Sequence, residues 1–179
     1  MRKLYLACAS MLLAFAVSGC FGTQKPLFDA KSAVYPIPNG AHYIQYFDEG
    51  SGFKEYARGT IALKDGWYVA TNKAPKTEVI TFMLKQWGKN YLAINKSQDD
   101  KGALIYVYGI LKPDAGAFFE YGPECNKLGA EALKKKGLVT YKPGQEDACA
   151  PVSVEALGTV MQMILDTKAQ PDNKYVLVK

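Results

Sequence analysis

The chain has 179 residues, 49% of them hydrophobic and 22% charged, with a formal charge of +5 at pH 7. That length suits one domain with an adequate core. The charge is mild and Arg58 is the only arginine besides Arg2; since arginine supplies the planar fork preferred for phosphates and guanine edges, nucleic-acid recognition is a poor reading and no nucleic-acid partner is expected.

At the N-terminus, Arg2 and Lys3 precede an apolar run from Leu4 to Val17, and Ser18 and Gly19 lead to Cys20. This is the layout of an export signal. The run is too short for a permanent helix across a ~30 Å hydrocarbon layer, which takes roughly 20 residues. Residues 1–19 therefore read as a removable signal peptide. The stretch Val17-Ser18-Gly19-Cys20 resembles the lipobox of bacterial lipoproteins. In that family the cysteine thiol is alkylated with a diacylglyceryl group, the signal is cut just before it, and the new amine is usually acylated. The resemblance implies that Cys20 is the lipidated first residue of the mature protein. Two or three acyl chains hold firmly where one is marginal, so the membrane partner is reached by an anchor rather than a span. In Gram-negative members of the family an aspartate after the cysteine commonly signals inner-membrane retention. Phe21 stands there instead, which implies anchoring to the outer membrane, facing the periplasm. The resemblance covers only this leader and concerns processing alone.

Residues 20–31 next read as a lipidated tether, and residues 32–179 as a single β-rich domain. Residues 42–47, 56–63, 67–71, 78–85, 91–95, 104–111 and 117–121 are rich in Tyr, Val, Ile, Phe and Thr and are predicted strands. Asn39-Gly40, Asp65-Gly66, residues 98–102 and residues 113–116 punctuate them. Asp65-Gly66, between IALK and WYVA, carries the best hairpin signal, because a two-residue turn with positive backbone angles suits that pair. A weak repeat matches Tyr43 to Tyr91, Gly59 to Gly109, and Asp65-Gly66 to the 114–116 turn, at an offset of roughly 50 residues. Two meanders side by side would share a core that neither buries alone.

After Tyr121 the texture becomes helical. Residues 123–136 place Leu128, Ala132 and Leu133 at helical spacing, with Gly137 as a stop. Residues 152–168 are the stronger helix: Val154, Leu157, Val160 or Met161, Ile164 and Leu165 make one stripe, and Ser153 is placed to cap it. The run Lys134-Lys135-Lys136 falls in the last turn of the first helix, where cations are favoured. KYVLVK, residues 174–179, alternates like a strand returning to the sheet. The expected fold is α+β: an antiparallel meander or small barrel of about seven or eight strands, two C-terminal helices and a terminal strand.

Of four cysteines, Cys8 leaves with the signal and Cys20 is the lipidation site, so Cys125 and Cys149 remain. An even pair in an exported domain reads as a disulfide. Closing a loop of roughly 25 residues contributes on the order of 3 kcal/mol.

Catalytic patterns are scarce. His42 is the one histidine, which leaves no histidine-rich metal shell, and no G-x-S-x-G elbow accompanies a serine. No cofactor or metal is expected. The acidic loop at residues 48–52 would repel a phosphate. The carboxylate pairs Asp99-Asp100 and Glu146-Asp147 lie in hydrophilic turns, and their separation is a property of the fold. Aromatics are the remaining signal: Trp67, Tyr68, Trp87 and Tyr91 flank hairpin turns and are candidate binding residues, with Arg58 as a partner for an anionic group. Strands also favour these residues for packing alone.

The preferred reading is a non-catalytic, lipid-anchored module that binds an envelope protein, a cell-wall polymer or a small ligand. A carboxylate-dependent envelope hydrolase and an inhibitor of envelope-attacking enzymes are the alternatives. Mass spectrometry of the mature protein is expected to show an acylated chain beginning at Cys20; an unacylated chain beginning elsewhere overturns the anchor.

Overall fold

A computed structural model describes residues 21–73, 77–99, 101–141 and 148–178. Residues 1–19, read from sequence as a signal peptide, and Cys20, Asp100, Glu146 and Asp147 lie outside the described residues. In chain order the elements are β1 (Gly22–Thr23), β2 (Ala41–Asp48), β3 (Phe53–Lys64), β4 (Trp67–Asn72), β5 (Glu78–Trp87), β6 (Asn90–Gln98), β7 (Leu104–Asp114), β8 (Ala117–Tyr121), α1 (Cys125–Leu128), α2 (Ala130–Lys135), β9 (Val139–Thr140), β10 (Ala150–Pro151), α3 (Val154–Asp166) and β11 (Asn173–Val178). All seven predicted strands form, and so does the terminal one.

Strands β2 to β8 pair with their sequence neighbours, and β11 pairs antiparallel with both β8 and β2. The result is a closed, eight-stranded antiparallel barrel. An eight-stranded barrel has an interior just wide enough for side chains to fill, and here they fill it. Tyr43, Ile61, Tyr68, Ala70, Leu84, Ala93 and Leu111 form one buried cluster, with Phe82, Tyr91, Phe118 and Tyr175 packed against it. Segment 33–39 closes one end: the Val34 amide donates to the Leu84 carbonyl at 2.8 Å, and Ile37 joins the interior cluster. The Tyr68 hydroxyl clamps that segment, accepting from the Ile37 amide and donating to the Ile37 carbonyl, both at 2.9 Å.

The repeat has structural counterparts. The β3–β4 and β7–β8 turns hold Asp65-Gly66 and Ala115-Gly116, each pair with both φ angles positive, which is the requirement of a two-residue hairpin turn. In the β2–β3 loop, Asp48 Oδ1 accepts from the amides of Gly50 and Gly52. In the β6–β7 loop, Asp99 Oδ1 accepts from those of Lys101 and Ala103. The barrel is thus β2–β5 followed by β6–β8 and β11, with α1, α2 and α3 inserted between β8 and β11.

Those helices cover the outside of β5–β7. Leu157, Val160, Met161 and Ile164 of α3 and Leu133 of α2 bury Met83, Leu92, Ile94, Tyr108 and Ile110 in a second core. Ser153 caps α3, its side chain accepting from the Ala156 amide. The first predicted helix is broken in two, because Gly129 adopts φ 80, a left-handed conformation cheap only for glycine, and ends α1.

The expected tether needs correction. Residues 21–31 belong to the domain: Phe21 is fully buried in the outer core, and Gly22 and Thr23 pair with Val107 and Tyr106 of β7. Strand β1 adds to β7 where β8 does not reach, so backbone groups that would face solvent are satisfied by this segment.

The Cys125–Cys149 disulfide forms as expected, across a sequence separation of 24. It joins α1 to the start of β10 and packs beside Phe21. Replacing both cysteines by alanine is expected to lower unfolding free energy by about 3 kcal/mol, measured as a fall in the urea midpoint. An unchanged midpoint would mean the helical cap needs no staple.

Candidate functional site

Period-two alternation sends neighbouring residues of a strand to opposite faces, and this disperses the aromatic candidates. Trp67 lies on the outer wall, with Lys96 Nζ 3.9 Å above its ring and the Tyr106 ring 6.3 Å away. Tyr68 points inward and is fully buried; burial pushes its hydroxyl up to about 12. Tyr91 also faces the interior, against Phe118 at 6.2 Å. Trp87 sits on the outer wall beneath α3, where a Cβ on Gly158 would overlap its ring. Arg58 is exposed, its fork already bound to Glu55 at 2.7 and 2.9 Å. The five therefore do not form one surface. His42 is exposed on β2, and among the described residues there is no cluster of metal-ligating side chains. Asp99 gives its carboxylate to its own turn.

A polar layer occupies the interior away from the 33–39 plug. The Tyr175 hydroxyl and the Asn173 amide donate to Glu120 Oε2 at 2.6 and 3.0 Å. Gln45 Nε2 donates to Asn173 Oδ1 at 3.0 Å, and Tyr43 bonds Asn72. Burial, chiefly, holds the Glu120 carboxyl above its usual range, with the neighbouring Asp172 adding to it. Burial likewise raises Asp172, whose carboxylate accepts from the Gly122 amide. Tyr43 is pushed up to about 12 by burial first and by Glu78 second. The bonds of Asn173 and Tyr175 tie β11 to β8 and β2, and that of Tyr43 ties β2 to β4; among the described residues Gln45 Oε1 and Asn72 Nδ2 are left without partners.

On the outer wall, the end of α3 and the following residues 168–171 arch over the β5–β6 turn and leave an open groove of about 550 Å³. Trp87 and Tyr121 offer apolar ring surface along it, and Lys89, Lys112 and Lys168 bring three cations. Among the described residues none of these lysines forms an ion pair. The one carboxylate in the lining, Asp166, accepts from Gln162 at 2.8 Å. Asn90 lines the groove with only 4% of its surface exposed, and among the described residues its Oδ1 has no hydrogen-bond partner. Lys168 is also in a left-handed conformation at φ 55, just past the α3 C-cap where glycine is the unstrained choice. A lysine held there costs roughly 1 kcal/mol.

Of the candidate binding residues, Trp87 alone lines this groove. Lys89, Asn90, Lys112, Tyr121 and Lys168 were missed, because residues from four separate segments carry no common spacing. Only the exposed lysine beside a tryptophan at Trp87-Gly88-Lys89 was a local hint. Comparison with family models, characterised proteins and solved structures gave no match, so function rests on this geometry.

The buried acid makes a pH prediction. A folded-state pKa raised above the unfolded one means that the folded protein binds more protons. Glu120 therefore contributes most stability below its unfolded pKa, and loses it as pH rises through the folded value. In Glu120→Gln the carbonyl still accepts from Tyr175 and Asn173. The stability of this variant relative to wild type is expected to rise as pH climbs above the ordinary glutamate range, with a slope of at most about 1.4 kcal/mol per pH unit. Urea midpoints across that climb check it, and a flat difference rejects it.

Proposed function

We propose that this protein is a lipid-anchored, non-catalytic binding module of the bacterial envelope, held through Cys20 at the outer membrane and facing the periplasm. Its ligand is an anionic cell-wall polymer, and the groove at Trp87, Tyr121, Lys89, Lys112, Lys168 and Asn90 takes it. The observation that carries this reading is the cluster of three lysines without ion pairs beside the rings of Trp87 and Tyr121. Lysines recognise carboxylate or phosphate groups. A polymer bearing acidic groups meets that demand, and its apolar faces stack on Trp87 and Tyr121. A purely apolar ligand leaves the cations unmatched.

The filled barrel argues against carriage of a ligand inside it. The strained backbone at Lys168 supports the groove, since strain kept at a site is the kind of cost that function explains.

Lys168→Gly separates binding from folding. Removing the strain is expected to raise stability by roughly 1 kcal/mol, while loss of the cation weakens sedimentation of the protein with insoluble cell-wall material by about three-fold at low salt. The double change Lys89→Glu and Lys112→Glu is expected to weaken it by about ten-fold or more, and added salt to weaken wild-type binding. Cell-wall binding unmoved by all three would sink the proposal, as would no binding by the wild type.

A further inference from the structure

The packing of Phe21 has a consequence for any acyl group on Cys20. Phe21 has no exposed surface and shares its core with Cys125 of α1, Ala130 and Leu133 of α2, and Val139 of β9. Its carbonyl accepts from the Tyr108 amide at 3.0 Å, and the Gly22 amide donates to the Cys149 carbonyl at 3.0 Å. The chain is therefore fixed to the fold from its second mature residue. One peptide link spans about 3.8 Å, so a lipidated Cys20 hangs within one residue of a rigid body. A lipoprotein with a long polar tether leaves its domain free to turn above the bilayer; this one has no such length.

We infer that the α1–α2 cap is an interaction surface for a lipid bilayer with anionic headgroups, and that the short leash docks the whole domain on it in one orientation. The inference rests on acylation of Cys20. Charge on the cap fits: Lys127, Lys134, Lys135 and Lys136 are exposed, with Lys127 paired to Glu124, Glu131 bonded by Tyr141 and Lys134 over the Tyr141 ring, which leaves, among the described residues, an excess of cations on α1 and α2. Basic residues near an anionic surface add to the hold of an acyl anchor. In the closed strand order β3 lies opposite β7, the strand that receives β1. The outer face of β3, with Arg58 and Ala62 exposed, therefore points away from the bilayer.

The full chain, produced in a bacterium and purified with its lipid, tests this. The mass of its N-terminal peptide reports acylation first: an unacylated chain defeats the anchor reading itself and with it this inference. Acylated protein is then reconstituted in vesicles of phosphatidylethanolamine and phosphatidylglycerol, with a photoreactive benzoylphenylalanine replacing Lys127, Lys135, Arg58 or Ala62 in turn. Lipid adducts are expected from Lys127→benzoylphenylalanine and Lys135→benzoylphenylalanine, and not from the two β3 variants. A flexible Gly/Ser insert of about ten residues between Cys20 and Phe21 is expected to cut the cap adducts about five-fold. Equal adducts at all four positions, or cap adducts that survive the insert unchanged in an acylated chain, overturn the docked orientation while leaving the anchor in place.

Discussion

Eight strands become a barrel here because the last one satisfies two open edges at once. Strand β11 pairs antiparallel with β2 through six residues and with β8 through four. Unpaired strand edges invite association with other chains, and only closure removes them altogether. The side chains repeat the same connection. Asn173 and Tyr175 bond Glu120 of β8, and Asn173 receives the Gln45 amide of β2. The seam is thus stitched by backbone bonds along the wall and by polar side chains within it. A buried carboxyl is costly unless it is hydrogen-bonded, and its place at the seam ties that cost to the correct register of the final strand.

Closure also separates two cores. The interior one is filled by side chains from all around the barrel and plugged by the segment that Tyr68 clamps. The exterior one needs a cover, because the outer faces of β5, β6 and β7 carry Met83, Leu92, Ile94, Tyr108 and Ile110. Insertion of the helices between β8 and β11 supplies that cover without interrupting the order of the strands. The groove and the cap both follow from this insertion. Where α3 ends and the chain returns to the sheet, a gap is left over Trp87 and Asn90. Where α1 and α2 begin, the disulfide and Phe21 pack beneath them.

Much of this was legible from local pattern. Each β-rich run became a strand, Asp65-Gly66 made the tight turn with both φ angles positive, and Ser153 capped the long helix. Trp67 and Tyr68 show where local pattern stops. Adjacent in sequence and alike in chemistry, they end on opposite sides of the wall, one beneath the Lys96 ammonium and the other bonded to Ile37. Glu120 was readable in part: it alternates with Phe118 on the inward face of β8, but nothing in AFFEY says that Tyr175 will lie opposite. Phe21 was misjudged because a single apolar residue among polar neighbours has no periodicity, and only its pairing with β7 reveals the buried place it takes.

By itself, then, the sequence determined the strands, their turns, the long helix and the cysteine pair, since each depends on residues close together in the chain or on parity of count. Tertiary structure alone decided which face of each strand points inward, and that the leading segment is part of the wall. It alone brought Lys89, Lys112 and Lys168 beside a buried asparagine. These arrangements are set by closure between strands more than a hundred residues apart, with Gln45 pairing Tyr175, and no window along the chain contains both partners.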